Sequence, residues 1–293
     1  MVIFITGATS PIMRAFIEVL VANGHSVKGL TRKPDKTLYG KMQWIVGDLN
    51  DPDLDYSFLH GVNLIIHAAA VSNTMVDDHY KKGNTMVTKL LVDRAKSLNI
   101  SAFVYISTIF AQENGDMYGQ SKWDAEEIIR KGMEQHLIVR FSQLYGYGAH
   151  SRIDKLIQQM RNQTFIFYPT GGRSNFFPLH YSDAVSVLQN IPSLCPLKGE
   201  TITVAGPRSY TYGDLLQHIS SAMNKRIFLI PIPVLITKLV KRWLKMLRWP
   251  KVIFPTQIDR LFVQLPEFEH PVDTGSFRTI NQFIEQLSKN KNR

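Results

Sequence analysis

Tyr118 and Lys122 stand four residues apart in "MYGQSKWDAEE" (117–127), a stretch that reads as helix, so a phenol and an ammonium share one face. A free phenol titrates near pH 10, and a neighbouring ammonium favours its phenolate. The pair can therefore exchange a proton with a bound alcohol or carbonyl near neutral pH. Lys122 can also hold a ribose. Ten residues upstream, "YISTIF" ends a strand-like run with Ser107 and Thr108. A hydroxyl there can orient a carbonyl beside the phenol. A Y-x-x-x-K spacing alone is usually a surface pair; its weight here comes from following a strand that ends in Ser-Thr.

Those residues need a partner site, and the start of the chain offers one. "VIFIT" (2–6) runs into "GATSPIM" and an amphipathic stretch. A phosphate-binding turn of this kind carries three glycines. Here Gly7 keeps the tight turn, while Ser10 and Met13 stand where two more are expected. Thr9 and Ser10 offer hydroxyls, and Pro11 followed by Ile12 suits the opening of a helix. At the end of the second strand, "GLTRKP" places Thr31, Arg32 and Lys33 where an NAD site has a carboxylate. Basic groups there suit the 2′-phosphate of NADP, so NADP(H) is favoured and NAD(H) stays open. "GDL" (47–49) adds Asp48 and Leu49, the carboxylate able to accept from an adenine amino group. In "HAAA" (67–70), Ala68, Ala69 and Ala70 are too small to block a flat ring.

The elements that must position these groups alternate. "VIFIT", "SVKGLTR" (26–32), "MQWIVGDL" (42–49), "VNLIIHAAA" (62–70), "AFVYIST" (102–108) and "HLIVRF" (136–141) are strand-like, with helical patterns after the first, fourth and fifth. Such alternation predicts an α/β protein with a doubly wound parallel sheet of Rossmann type. Beyond 143 the pattern is irregular, with one more strand expected at "TITVA" (201–205). A smaller, interleaved C-terminal substrate lobe is the expectation: 1–142 with about 177–205 forms the dinucleotide domain, and about 143–176 with 206–293 the lobe. "YGYGAHSR" (145–152) reads as a loop over the site.

The bulk numbers narrow the classes. Hydrophobic residues make up 44% and charged residues 20% of 293, enough for a sizeable core. The lone Cys195 forbids an intrachain disulfide and fits a reducing, cytoplasmic compartment. The first strand starts at residue 2, which argues against a cleaved leader. A net charge of +10 attracts polyanions, yet no nucleic-acid motif accompanies it, and no nucleic-acid partner is expected. "KLVKRWLKMLRWPK" (238–251) sets cations on one helical face and Trp243 with leucines on the other. It reads as a lobe helix with a solvated face, or as a peripheral membrane contact. No histidine–carboxylate group has metal-ligand spacing, and His180 reads as a packing residue.

Taken together, the chain resembles the extended short-chain dehydrogenase/reductases, in the NAD-dependent epimerase/dehydratase family that acts largely on nucleotide sugars. "ITGATSPIM", "GDL", "HAAA", Asn84 in "GNTMVTKLL", "FVYIST", "YGQSK", "VRFSQLYG", "PLHYSDAV" and "ITVAGP" fall in the family's order and spacing. The resemblance implies that Tyr118 is the general acid/base, Lys122 its electrostatic partner and ribose ligand, and Thr108 the triad hydroxyl with Ser107 beside it. It places Asn84 and Phe141 at the cofactor; Phe141 replaces a common proline. Gln143 falls where an asparagine often meets the sugar. Phe176 falls where many members have an arginine for the diphosphate, with Arg173 as the nearby substitute. It also implies a nucleotide-sugar substrate and a homodimer. Met13 in place of the third glycine predicts a displaced helix and weaker cofactor affinity. The leading expectation is a 4-keto-sugar reductase ahead of an epimerase. A non-catalytic assembly protein of the same fold, or a reductase of a non-nucleotide ketone, remains the alternative.

Overall fold

In a computed structural model the described residues are 1–34, 40, 42–72, 74, 76–148, 151–170, 175–233, 265 and 275–289. They form two compact units. One comprises Met1–Phe141 with Ala184–Thr203, the other Ser142–Asp183 with Val204–Arg293.

The first unit is built on β1 (Val2–Thr6), β2 (Ser26–Thr31), β3 (Gln43–Val46), β4 (Leu64–His67), β5 (Ala102–Thr108) and β6 (Gln135–Phe141). A later strand, Glu200–Val204, joins beside β6. The seven-stranded sheet runs in the order Glu200–Val204, β6, β5, β4, β1, β2, β3. Every neighbouring pair from β6 to β3 is parallel. The chain order reverses direction between β1 and β4, and ligands bind at such a switch point outside the carboxyl ends of the strands. Thr6, His67 and Thr108 end β1, β4 and β5 on that side.

The strands read as apolar runs because helices cover them. β4 is buried at all four positions, and β5 at six of seven. Helix α1 (Pro11–Ala22) buries Ile12, Met13, Phe16, Ile17 and Leu20, one stripe at helical spacing. Ahead of β5, α2 (Asp77–Tyr80) passes through a π turn, Lys81–Met86, into α3 (Val87–Ser97). The sequence pattern predicted one helix from 84 to 100; the wider turn moves its start back to 77. Helix α4 (Met117–Gly132) begins at Asp116, whose carboxylate accepts from the Gly119 amide at 2.8 Å. Phe4, Leu30, Ile65, Leu91, Phe103 and Ile129 belong to the core between these layers.

The second unit is more regular than the sequence pattern suggested. It contains β7 (Leu144–Tyr145), α5 (Arg152–Asn162), β8 (Phe165–Pro169) and β9 (Leu179–His180), with α6 (Tyr181–Leu188) leading back to the first unit. After the Glu200–Val204 strand, β10, come α7 (Tyr212–Ala222), β11 (Phe228–Ile232) and α8 (Ile280–Lys289). Ile153, Ile157 and Met160 of α5 pack in one core with Leu215, Leu216 and Ile219 of α7 and Ile280 and Ile284 of α8. Their spacing is helical, but glycines, prolines and polar residues on either side masked it. Among the described residues no helix is long and apolar enough to cross a membrane. The stretch 238–251 lies outside the described residues.

Candidate functional site

The turn after β1 is held by close backbone approach. Gly7 has φ +68°, and a Cβ there would sit 2.8 Å from the Ala68 carbonyl carbon and the Ala69 nitrogen. No side chain fits, so the glycine is obligatory. Thr6 completes the joint: its Oγ1 accepts from the amides of Ala68 and Ala69 at 3.1 Å and lies 2.6 Å from His67 Nδ1. On the other side His67 Nε2 is 3.1 Å from Thr88 Oγ1, which itself donates to the Asn84 carbonyl. Thr88 must therefore accept from His67, which puts the ring proton on Nε2 and leaves Nδ1 to accept from Thr6. Full burial holds this imidazole neutral, with its pKa lowered to about 3.

Ser10 caps α1 in extended conformation, and the first helical bond runs from the Arg14 amide to the Ser10 carbonyl. The amides of Ile12 and Met13 precede that bond and have no intrahelical acceptor. The hydroxyl of Ser10 is buried without a hydrogen-bond partner. An orphaned hydroxyl and free amides at a helix N-terminus fit a pyrophosphate. Met13 is fully buried, so its side chain belongs to the core. Sequence reasoning missed Gly29 on β2. A Cβ there would lie 3.0 Å from the Ala8 methyl and collide with the Met42 side chain, so Gly29 lets the turn pack on β2.

A cleft of about 200 Å³ opens beside this turn. It gathers Gly7, Thr9, Arg32, Asp48, Leu49, Ala69 and Ala70 from the sequence expectations, and adds Leu30, Asn50 and Gly83. Asp48 Oδ1 accepts from the Asn50 backbone and side chain, both at 3.0 Å, and Arg32 lies 4.0 Å from Oδ2. The Asn50 amide, ahead of the more distant Arg32, holds this carboxyl below its ordinary value. Arg32 is 82% exposed at the rim, so its guanidinium is available to a ligand. Pro11 and Ile12 lie in the first turn of α1, outside the lining.

Lys122 sits one turn after Tyr118 on α4 and is 1% exposed. Its Nζ donates to the Ile106 carbonyl at 2.8 Å and lies 3.9 Å over the Tyr105 ring. Desolvation lowers its pKa to about 7, against the opposing pull of Glu126. The Tyr118 ring meets Tyr80 edge-on at 5.9 Å. Thr108 closes β5, its Oγ1 accepting from the Phe110 amide at 3.3 Å. A Cβ at Gly119 would lie 2.3 Å from the Phe110 carbonyl, so this glycine lets α4 approach the turn after β5.

Ser107 points elsewhere. Its hydroxyl donates to Glu126 Oε1 at 2.6 Å, and the buried Glu126 also accepts from Arg130 and Arg140. The network ties β5, α4 and β6 together. Sequence reasoning named Ser107 but missed Glu126, although its i,i+4 spacing to Arg130 is a readable signal. Asn84 is likewise committed: it accepts from the Val71 amide at 2.7 Å and donates to the Val71 carbonyl and to Ser121 Oγ. It straps the loop after β4 to α4. Phe141 ends β6 opposite Thr108, with its carbonyl bonded to the Ile109 amide.

In the second unit, Gln143 Oε1 accepts from the Phe177 amide at 3.0 Å, while its buried Nε2 has no partner. Phe176 bridges to Tyr210 and packs against Tyr212. Arg173 lies outside the described residues. His180 is buried against Tyr145 and Phe283, and burial lowers its pKa to about 4. Among the described residues no cluster of ligating side chains could hold a metal ion.

Residues 3–188 match the model of the NAD dependent epimerase/dehydratase family. Among curated proteins, the ceramide reductase of Caulobacter vibrioides is 22% identical over 259 residues, 86% of this chain and 81% of its own length. The mitochondrial NADH-ubiquinone oxidoreductase 40 kDa subunit of Neurospora crassa is 22% identical over 228 residues, 76% of this chain; the chain spans 58% of that subunit's length. Among solved structures, UDP-glucuronic acid 4-epimerase from Bacillus cereus, in complex with UDP-glucuronic acid and NAD, superposes with a TM-score of 0.68 at 16% identity, over 98% of this chain and 100% of that one. DesIV, the dTDP-glucose 4,6-dehydratase from Streptomyces venezuelae, gives 0.68 at 16% identity over 100% of this chain and 98% of its own. At those identities the superpositions establish a shared fold.

Proposed function

This chain belongs to the NAD dependent epimerase/dehydratase family, and we propose that within it the protein is an NADPH-dependent reductase of a 4-keto sugar carried on a nucleoside diphosphate. The observation that carries this reading is Lys122 buried one turn after Tyr118 on α4 beside the end of β5, where burial lowers its pKa to about 7. A lysine that titrates near neutrality can help the phenol give up or take a proton at the working pH. A dinucleotide, when bound, would supply the hydride for the carbonyl carbon. Tyr118 gives the proton to the carbonyl oxygen, and Thr108 orients that oxygen beside the phenol. Lys122 holds the ribose and lowers the energy of the phenolate left behind. Ser107 serves through Glu126 as a brace for β5.

Gly7, the α1 amides and Ser10 would hold the pyrophosphate, and Asp48 the adenine. Arg32 at the rim would meet a 2′-phosphate, which motivates NADPH over NADH and net reduction over epimerisation. The solved neighbours named above carry NAD, UDP-glucuronic acid or a dTDP-sugar enzyme's ligands in their complexes, which supports the substrate class.

A second reading draws on the curated relatives. Ceramide reductase from Caulobacter vibrioides points to a long-chain ketone in place of the sugar nucleotide. The test is NADPH oxidation by purified protein across keto-sugar nucleotides and long-chain ketones, with NADH in parallel. Turnover of the former supports the proposal, and turnover of the latter alone replaces it. Interconversion of two epimers without added cofactor makes the protein an epimerase instead.

A further inference from the structure

β8 and β11 form a parallel pair in the second unit, with Phe228 opposite Phe165 and Ile230 opposite Phe167. Successive side chains alternate between the faces of a strand. On the inner face Ile166 is buried in the core of the unit and Leu229 packs against it. The outer face carries Phe165, Phe167 and Phe228, exposed to 56%, 63% and 49%. Phe165 and Phe228 stack on each other, with centroids 5.3 Å apart and planes 20° from parallel. Contiguous exposed rings of this kind mark an interaction surface.

The chain that flanks the two strands carries one sign of charge. Arg161 closes α5 just ahead of β8, and Lys225 with the exposed Arg226 comes just ahead of β11. Lys225 is fixed there by donating to the carbonyls of Met160, Arg161 and Gln163. The sequence has no aspartate or glutamate between Asp154 and Asp183, and none between Asp214 and Asp259. Both strands of the patch thus come from segments that contain cations and no anions. The second acid-free segment also holds Lys238, Lys241, Arg242, Lys245, Arg248 and Lys251.

A ligand surface that is apolar beneath and negative above matches both properties: the headgroup layer of an anionic bilayer. A second copy of this chain fits poorly, because it carries the same +10 charge. A single-stranded nucleic acid shares the required charge, and the test below includes it as a competing outcome. We propose that the outer face of β8 and β11 is a membrane-docking surface, which inserts Phe165, Phe167 and Phe228 into the interface of an anionic phospholipid bilayer.

The test is flotation of the full chain with vesicles of phosphatidylcholine alone and of phosphatidylcholine with phosphatidylglycerol. The wild type is expected to float with the anionic vesicles only, and to be released by salt. Substituting all three phenylalanines, Phe165→Ser, Phe167→Ser and Phe228→Ser, should lower the bound fraction about tenfold or more. Its melting temperature should stay close to wild type, since the rings face solvent. Arg226→Glu, which leaves the rings in place, should weaken binding less and flatten its salt dependence. If the triple variant misfolds, Phe167→Ser alone with Arg226→Glu decides the question. A wild type that stays unbound overturns the proposal. So does a folded triple variant that floats as well as wild type, which would put the contact elsewhere, such as 238–251. Binding of a single-stranded oligonucleotide without binding of vesicles overturns it too, as does a wild-type dimer that the triple variant abolishes in the absence of any vesicle binding.

Discussion

The first turn and the tyrosine helix lie at the same carboxyl end of the sheet, and the balance of what holds them differs. Around Gly7 close approach dominates, with Thr6 bonding the Ala68 and Ala69 amides: Gly7 lies against Ala68 and Ala69, Gly29 against Ala8, and Met13 is wholly buried. Around α4 one glycine, Gly119, lets the helix meet the Phe110 carbonyl, and polar networks dominate: Ser107, Glu126, Arg130 and Arg140 in one, Asn84 and Ser121 in another. A steric joint constrains only the atoms that touch. A buried polar network constrains every member, since one missing partner leaves a charge unpaired.

Four experiments would break or sharpen that contrast. The largest effect belongs to Tyr118→Phe, which removes the proton donor and keeps the ring. It should lower kcat by about 10²–10⁴-fold, with NADPH affinity by calorimetry unchanged; an unchanged kcat would end the proposed mechanism. Next comes Glu126→Ala, which strands Arg130 and Arg140 beside a buried void. Urea unfolding should show a loss of about 3–5 kcal/mol. A loss no greater than that of an exposed pair would mean that the network is not a unit.

Met13→Gly restores the family glycine but empties a fully buried site and weakens a helix. We expect a loss of about 2–5 kcal/mol in stability, with no gain in cofactor affinity. A tighter NADPH complex would show instead that Met13 does obstruct the turn. The smallest effect is a pH slope. Lys122 has a folded pKa of about 7, lowered by desolvation from the 10.5 of the unfolded chain. Between those values the unfolded chain binds the extra proton, so stability rises with pH across that window by at most about 1.4 kcal/mol per unit. Below about pH 7 the penalty of burying the ammonium is at its full size. In Lys122→Met this contribution disappears, which a pair of denaturation series at pH 7 and 9 would reveal.

Much of the sheet was legible because its signal is local. Apolar runs such as "VIFIT" and "AFVYIST" report burial on both faces, and their alternation with helices forces parallel pairing. The second unit was less legible. Its helices α5 and α7 carry clear apolar stripes, but short strands and turns interrupt them, and their common core joins residues 153, 215 and 284 from distant parts of the chain.

The sequence by itself determined the residue types at the site, their order and their four-residue spacing, because covalent connectivity and helix geometry suffice for that. It also determined that Ser10 and Met13 depart from three glycines. Only the tertiary structure decided where those residues end up: Met13 is fully buried, while Ser10 is left with an unpartnered hydroxyl at the helix mouth. It also separated Ser107 from Thr108. Adjacent residues on a strand face opposite sides, and Glu126, nineteen positions away, claims one hydroxyl while the other stays at the end of β5. Such choices depend on which groups the fold brings within about 3 Å, and that information is not local.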